Sequence, residues 1–189
     1  MKVIIILGPP GAGKGTQSVL LASKLGLTHF CTGDVLRKEI SNGTELGNLA
    51  ASLINKGHYV PDDVINTITK NFIEANKENK GLILDGYPRN EKQANVLGSI
   101  FNQLGIKNVQ AIHLETDEPE IIRRLMKRSQ QENRADDNPE AIKTRLKVFN
   151  ENYPGLLNYY CNSGCLTDID GIGKIEDVHK EIIRAMGIY

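Results

Sequence analysis

The sequence lacks an excess of charge of either sign. Its 189 residues include 23 lysines and arginines and 23 aspartates and glutamates, so its formal net charge is zero. Proteins that bind nucleic acid through its backbone need a basic surface, because cations must neutralise the phosphates. We therefore expect small-molecule partners and no nucleic acid. The length is that of one compact domain with room for small insertions.

Long apolar runs are absent as well. No stretch of the chain approaches the roughly 20 apolar residues that a transmembrane helix requires. No charged and then apolar leader precedes the first predicted strand. We expect a cytoplasmic protein that has no membrane partner.

Cysteine and histidine are too few and too scattered to indicate a metal centre. The three cysteines are an odd number, which does not suit a disulfide framework. Cys161 and Cys165 are four residues apart, but no second pair of cysteines or histidines stands at a useful spacing. Cys31 is interpreted as a small packing residue. The four histidines form neither an HxxxH nor an HExxH pattern, so the sequence predicts no zinc site.

A glycine-rich segment is the most informative feature that is present. Residues 8–16, GPPGAGKGT, follow an apolar run and precede an amphipathic stretch. Glycines let backbone N–H groups converge on one point, and the next helix directs its positive dipole end there. Lys14 would add a charge, and Thr16 a hydroxyl near a phosphate-bound magnesium ion. The segment predicts a nucleoside triphosphate site, and Gly15 between these residues indicates a P-loop kinase subclass rather than a GTPase or motor.

Apolar runs alternate with helical stripes along the chain. Short runs predict strands at residues 3–7, 28–31, 81–85, 109–114 and 166–169. Between them, apolar residues recur every three or four positions, as in helices that pack on a core. This alternation predicts an α/β fold of three layers, a five-stranded parallel sheet between helices, with ligands beyond the carboxyl ends of the strands.

Local signals also predict where two helices begin. Asp117 stands two residues before a proline and Asn138 stands directly before one, which is typical of helix N-termini. Pro154 is expected to end or interrupt the helix that carries Arg145.

A second loop, residues 85–89 (DGYPR), leaves the third predicted strand at its carboxyl end. Asp85 stands where a carboxylate organises magnesium beside a phosphate loop, with capping of the next turn as the alternative role. Gly86 permits close backbone approach, and Arg89 can be directed at an anion. Gln93 offers an amide one helical turn further on. We expect this loop to lie beside the glycine-rich loop.

Four arginines provide the third signal. Arg124 and Arg128 are four apart on a predicted helix, Arg134 lies in the polar stretch that follows, and Arg145 lies on the next helix. Residues 129–138 have no core-forming pattern, which predicts a polar lid. Guanidinium groups suit phosphoryl transfer because its transition state spreads charge over several oxygens, and a closed lid excludes water.

Together these segments resemble the adenylate kinase family over nearly the whole chain. The glycine after the loop lysine belongs to that family's version of the loop, and Arg124 and Arg128 match the pair that leads into its lid. The other matching segments are residues 8–17, 32–37 (TGDVLR), 85–89 with Gln93, 134–137 (RADD) with Arg145, and 170–173 (DGIG).

The resemblance implies reversible, magnesium-dependent transfer of the γ-phosphoryl group of ATP to AMP, which gives two ADP. It also implies one P-loop kinase domain over residues 1–189, with a helical AMP-binding insertion at residues 31–60 and a lid loop at residues 128–138. Both small segments are expected to be mobile, and the protein is expected to be a monomer. Magnesium is the only cofactor expected.

The resemblance assigns roles to residues of this chain. The residues expected to bind ATP are Gly11, Ala12, Gly13, Lys14, Gly15, Thr16, Arg128 and Gly173. The residues expected to bind AMP are Thr32, Arg37, His58, Tyr59, Val60, Gly86, Tyr87, Pro88, Arg89, Gln93, Arg134 and Arg145. The residues expected to be catalytic are Lys14, Arg89, Arg128, Arg134 and Arg145. Asp85 and Thr16 are expected to hold Mg²⁺ through water. No general base is assigned, because the AMP phosphate is already an anionic nucleophile.

The lid is short, and this feature narrows the resemblance. Only residues 129–133 separate Arg128 from Arg134, so the chain is similar to the short-lid form of the family, whose lid has no place for zinc-binding cysteines.

A UMP/CMP kinase is the alternative of the same fold, but that family tends to have alanine where this chain has Thr32. A GTPase-like switch would need an Asn-Lys-x-Asp loop, and residues 76–79 (NKEN) end in asparagine. A non-catalytic nucleotide-binding module would not need the arginines that are present.

Overall fold

The structure, a computed structural model, describes residues 1–132 and 137–188. Its strands are β1 (Lys2–Leu7), β2 (Thr28–Cys31), β3 (Gly81–Asp85), β4 (Asn108–Glu115) and β5 (Leu166–Asp170). All neighbouring strands are parallel, and they lie in the order β2-β3-β1-β4-β5. The prediction of a five-stranded parallel sheet is therefore confirmed, with single residues added at some strand ends.

Helices cover both faces of this sheet. They are α1 (Lys14–Leu25), α2 (Thr32–Ser41), α3 (Glu45–Ile54), α4 (Asp62–Ala75), α5 (Glu91–Gln103), α6 (Glu118–Glu132), α7 (Pro139–Asn162) and α8 (Ile175–Ala185). Side chains of α4, α5 and α7 join one hydrophobic cluster with the sheet, and those of α1 and α8 join another. The three-layer arrangement is confirmed. Among the described residues, no helix is both long and apolar enough to cross a membrane.

Strand β1 lies at the centre of the sheet, and its sequence is apolar on both faces. Val3, Ile5 and Leu7 belong to one cluster, Ile4 and Ile6 belong to the other, and none is more than 2% exposed. A central strand that is covered on both faces has no position left for a polar side chain. Each such burial contributes about 1.5–3 kcal/mol, so β1 gives the loop that follows it a rigid base.

Two helices begin where the local signals predict. The Oδ1 atom of Asp117, which directly precedes α6, accepts a hydrogen bond from the backbone N–H of Glu120 at 2.9 Å. The Oδ1 atom of Asn138 accepts one from the N–H of Ala141, also at 2.9 Å, at the start of α7. Each side chain satisfies a backbone donor that has no partner within its helix.

The expectation that Pro154 ends or interrupts α7 is wrong, because the helix runs unbroken through it. A proline inside a helix removes one backbone hydrogen bond and crowds the carbonyl four residues earlier, which costs about 3 kcal/mol. Phe149 and Tyr153 stack at 4.1 Å before the proline, and Leu156 and Tyr160 are 1% and 3% exposed after it. Packing on both sides therefore outweighs the local defect.

Residues 31–60 form α2 and α3, which pack closely against each other. The hydroxyl of Thr44 accepts a hydrogen bond from the N–H of Gly47 and caps α3. A Cβ on Gly47 would lie 2.1 Å from the carbonyl oxygen of Glu39, so the close approach of the two helices requires glycine at this position.

The segment predicted as a lid loop is helical at its beginning. Helix α6 continues to Glu132, so residues 129–132 belong to it, and Asp137 and Asn138 directly precede α7. Residues 133–136, which include Arg134, lie outside the described residues.

Candidate active site

A groove at the carboxyl ends of β1 and β3 brings the two predicted loops together. This main groove has a volume of about 600 Å³, and both loops line it. A Cβ on Gly15 would lie 3.4 Å from Oδ2 of Asp85, so the loops are in contact. The prediction that they lie side by side is confirmed. The main groove is lined by every residue expected to bind ATP: Gly11, Ala12, Gly13, Lys14, Gly15, Thr16, Arg128 and Gly173.

The glycine-rich loop is folded around the ammonium group of Lys14. Its Nζ atom donates hydrogen bonds to the carbonyls of Gly8 and Pro9, both at 2.8 Å. Gly8 has a φ of 141°, and a Cβ there would lie 2.8 Å from the carbonyl oxygen of Leu114. Gly13, at a φ of 94°, precedes α1 as its N-cap. The loop therefore presents a helix N-terminus and a cation to the groove, which together form an anion site.

The environment of Lys14 contains more positive than negative charge. Burial lowers the pKa of Lys14 to about 8, and the guanidinium groups of Arg89, Arg145 and Arg128 act in the same direction. The carboxylate of Asp85 opposes them by favouring the ammonium form. A bound phosphate would compensate these cations, so the electrostatics of the site favour an anionic ligand.

Asp85 meets the requirements of a magnesium-organising carboxylate. Asp85 is 5% exposed, and it lines the main groove together with Thr16. Oδ2 lies 3.7 Å from Nε2 of His29, which is beyond hydrogen-bond distance and leaves the oxygens available to a cation. A carboxylate and a hydroxyl beside a phosphate cradle are the hard oxygen donors that Mg²⁺ prefers. These residues therefore fit the ion.

A second cavity, the inner pocket, lies between α2, α3 and the loop after β3. Of the residues expected to bind AMP, it is lined by Thr32, Arg37, His58, Tyr59, Val60, Arg89, Gln93 and Arg145. Gly86 and Pro88 line a connecting cavity, which Lys14 also borders. Arg89 and Arg145 line all three spaces, so they stand where the main groove and the inner pocket meet.

Tyr87 lies behind the loop rather than in the inner pocket. It is 1% exposed, and its hydroxyl donates a hydrogen bond to Oδ1 of Asn66 at 2.6 Å. Burial raises the pKa of the Tyr87 hydroxyl above its usual value, and the carboxylate of Asp62 adds to this. The side chain therefore supports the loop from the core.

The guanidinium group of Arg89 is held from several directions. Nε donates to the carbonyl of Gly86 at 2.7 Å, and Cζ lies 4.9 Å from the ring centroid of Tyr59. The hydroxyl of Thr32 donates to the same carbonyl at 2.9 Å and lies 3.5 Å from Nη2 of Arg89. These contacts fix the direction of the group before any ligand arrives.

Two of the predicted arginines share a carboxylate that the sequence interpretation missed. Arg128 donates to both oxygens of Asp137 at 2.6 Å, and Arg145 donates to Oδ1 at 2.9 Å. Asp137 is 2% exposed, and the two guanidinium groups compensate the charge of its buried carboxylate. Asp137 directly precedes a predicted helix start, and this position gave no indication that its carboxylate pairs with Arg128 and Arg145.

A family model described as adenylate kinase matches residues 6–165. The adenylate kinase of Thermobifida fusca (strain YX) is 41% identical over 183 residues, which are 97% of this chain and 97% of that protein. The adenylate kinases of Phocaeicola vulgatus and Stenotrophomonas maltophilia (strain R551-3) are 41% and 37% identical over the same length, 97% and 98% of those proteins.

The chain belongs to the adenylate kinase family. The relatives are covered almost end to end, which agrees with the short-lid form that the sequence resembles. The relatives named here are called adenylate kinases, and no comparison favours a UMP/CMP kinase or a GTPase.

Arg124 has a role in this member of the family that sequence reasoning did not predict. Its Nη2 atom donates to the carbonyl of Gly171 at 2.9 Å, and Nη1 donates to that of Ala12 at 3.3 Å. Glu120 holds Nε at 2.6 Å. Arg124 thus ties the glycine-rich loop to the segment that contains Gly173. The spacing of four residues between Glu120 and Arg124 predicts their ion pair. It does not predict that Arg124 also contacts the carbonyls of Ala12 and Gly171.

Cys31 is half-buried and borders the main groove. Burial raises the pKa of the Cys31 thiol to about 11, and the nearby carboxylate of Asp85 adds to this, so little thiolate exists at neutral pH. Cys161 is exposed and Cys165 half-buried, and neither lines the main groove or the inner pocket.

Proposed function

We propose that the chain catalyses reversible transfer of the γ-phosphoryl group of ATP to AMP, giving two ADP. The supporting observation is that Arg89 and Arg145 line both the main groove and the inner pocket. Two phosphate-binding sites that share guanidinium groups at their junction suit transfer between two nucleotides. A single-nucleotide switch would not require the second site.

On the ATP side, the backbone of the glycine-rich loop and the N-terminus of α1 would hold the triphosphate. Lys14 would leave the carbonyls of Gly8 and Pro9 and pair with phosphate oxygens, and Arg128 would approach from α6. Asp85 and Thr16 would hold Mg²⁺, which when bound neutralises charge on the phosphate oxygens.

On the AMP side, Arg37 and Arg89 would bind the phosphate, and Thr32 and Gln93 would contact the base in the inner pocket. An oxygen of the AMP phosphate attacks the γ-phosphorus as the bond to the β-phosphate oxygen breaks, so ADP is both product and leaving group. Positioning and charge compensation carry such a step without a general base.

Closure over the phosphates is part of the proposal. The predicted lid, residues 128–138 with Arg134, would exclude water so that ATP is transferred rather than hydrolysed. The mobility of this lid and of α2 and α3, the monomeric state and the cytoplasmic location stay predictions. Size-exclusion chromatography with light scattering tests the monomer.

A coupled assay with ATP and each of AMP, CMP, UMP and GMP tests the proposed function. We expect AMP to be the preferred acceptor by at least about tenfold in kcat/KM, because a pocket with matched polar groups discriminates strongly. Preference for CMP or UMP would support the pyrimidine kinase alternative. No transfer to any of the four would contradict the proposal.

A further inference from the structure

Gln93 stands at the wall of the inner pocket with its amide group in a defined orientation. It is 1% exposed and lies in the first turn of α5. Its Oε1 atom accepts a hydrogen bond from the backbone N–H of Arg89 at 2.7 Å. Its Nε2 atom donates to Oδ1 of Asp62 at 2.6 Å.

These two partners determine which end of the amide is oxygen. A carboxylate accepts hydrogen bonds and a backbone N–H donates them, so neither Asp62 nor Arg89 can exchange roles. Reversing the amide of Gln93 would face oxygen to the carboxylate and place two donors together at Arg89. A primary amide has two lone pairs and two hydrogens, so one acceptor and one donor position remain for a ligand in the pocket.

Asp62 is itself held in place and does not line the inner pocket. Nδ2 of Asn90 lies 3.1 and 3.0 Å from its two oxygens. Oδ1 of Asn90 accepts from the backbone N–H of Gln93 at 2.8 Å and caps α5, which fixes the orientation of Asn90 as well. Asp62, Asn90 and Gln93 thus form a closed network behind the pocket wall.

We propose that Asp62, together with the backbone N–H of Arg89, sets base specificity by fixing the polarity of the Gln93 amide. This inference rests on the proposed function, in which the inner pocket takes the monophosphate substrate. The fixed oxygen accepts from an exocyclic amino group, and the remaining N–H donates to an adjacent ring nitrogen, as adenine requires. A 6-oxo base would face oxygen with oxygen. Asp62 therefore selects amino over oxo bases, whereas it does not separate purines from pyrimidines.

Asp62→Asn tests this role, because an asparagine can donate as well as accept, so that the backbone N–H of Arg89 alone then selects the orientation of Gln93. We expect the ratio of kcat/KM for AMP to that for IMP to fall by about tenfold or more, as loss of a hydrogen bond to a charged group predicts. The KM for ATP should not change. An unchanged ratio would overturn the inference.

Asp63→Asn is the matched control. Asp63 lies in the same first turn of α4, so its substitution removes the same charge from the same helix N-terminus. It is exposed and makes no hydrogen bond to Gln93. Its ratio of AMP to IMP activity should stay within about twofold of the wild type, since surface substitutions away from such networks have small effects.

The wild-type protein offers a test that does not depend on a variant folding. Purine riboside monophosphate lacks a substituent at position 6 and so avoids both the favourable and the repulsive contact. We expect activity to decrease in the order AMP, purine riboside monophosphate, IMP. If IMP equals or exceeds the unsubstituted purine, the amide is not fixed as proposed. If the wild type does not phosphorylate AMP at all, the proposed function fails instead.

Discussion

The two nucleotide sites of this protein are built in different ways. The triphosphate cradle in the main groove is made by one continuous segment, in which the carbonyls of Gly8 and Pro9 accept hydrogen bonds from the ammonium group of Lys14. The inner pocket is lined by residues from five helices, α2, α3, α4, α5 and α7, and from the loop after β3, and hydrogen bonds hold several of these side chains in place. A backbone cradle recognises phosphate of any nucleotide, whereas a side-chain network can recognise a base.

Lys14→Met should remove the cation of the triphosphate cradle and give the largest loss of activity. We expect kcat to fall by about a thousandfold or more, because a charge directed at the transferring group is lost. Circular dichroism should show that the fold is retained. Near-normal turnover would contradict the role assigned to Lys14.

Arg89→Ala should weaken the binding of AMP in the inner pocket far more than the binding of ATP in the main groove. Arg89 is fixed beside the inner pocket by Gly86 and Tyr59, so its loss should raise the KM for AMP by about tenfold to a hundredfold, the range of hydrogen bonds to charged groups. The KM for ATP should change much less. Equal losses for both substrates would show that the two sites are misassigned.

The pH dependence of stability should test whether the pKa of Lys14 is lowered in the triphosphate cradle. The pKa of Lys14 is lowered by burial to about 8 from its ordinary value of 10.5, so between these two pH values the unfolded chain binds more protons than the folded one. Stability then rises with pH across this window. We expect the nucleotide-free wild type to gain on the order of 2 kcal/mol relative to Lys14→Met from pH 7 to 10. Parallel pH profiles from chemical denaturation would contradict the lowered pKa.

Thr32→Ala should have the smallest effect, which is confined to the inner pocket. The hydroxyl of Thr32 donates to Gly86 and lies beside Arg89, so its loss would enlarge and loosen the base site. We expect the activity on CMP or UMP relative to AMP to rise by about threefold to tenfold, the range for loss of one neutral hydrogen bond. An unchanged ratio would remove Thr32 from the specificity argument.

The same contrast explains how much could be predicted from the sequence. The sheet was predictable because buried parallel strands are apolar throughout, and the cradle because its residues are contiguous. The Gln93–Asp62 hydrogen bond joins residues that are 31 apart, and that between Arg124 and Gly171 joins residues 47 apart. Neither has a local pattern. The continuation of α7 through Pro154 depends on packing that only the tertiary structure supplies.

The most direct test of the central claim uses two adenosines joined through a chain of five phosphates. The claim is that ATP and AMP meet end to end at Arg89 and Arg145, which line both sites. Titration calorimetry should show one molecule bound per chain, and inhibition should be competitive against both ATP and AMP. Competition with only one substrate, or two molecules bound per chain, would contradict the claim.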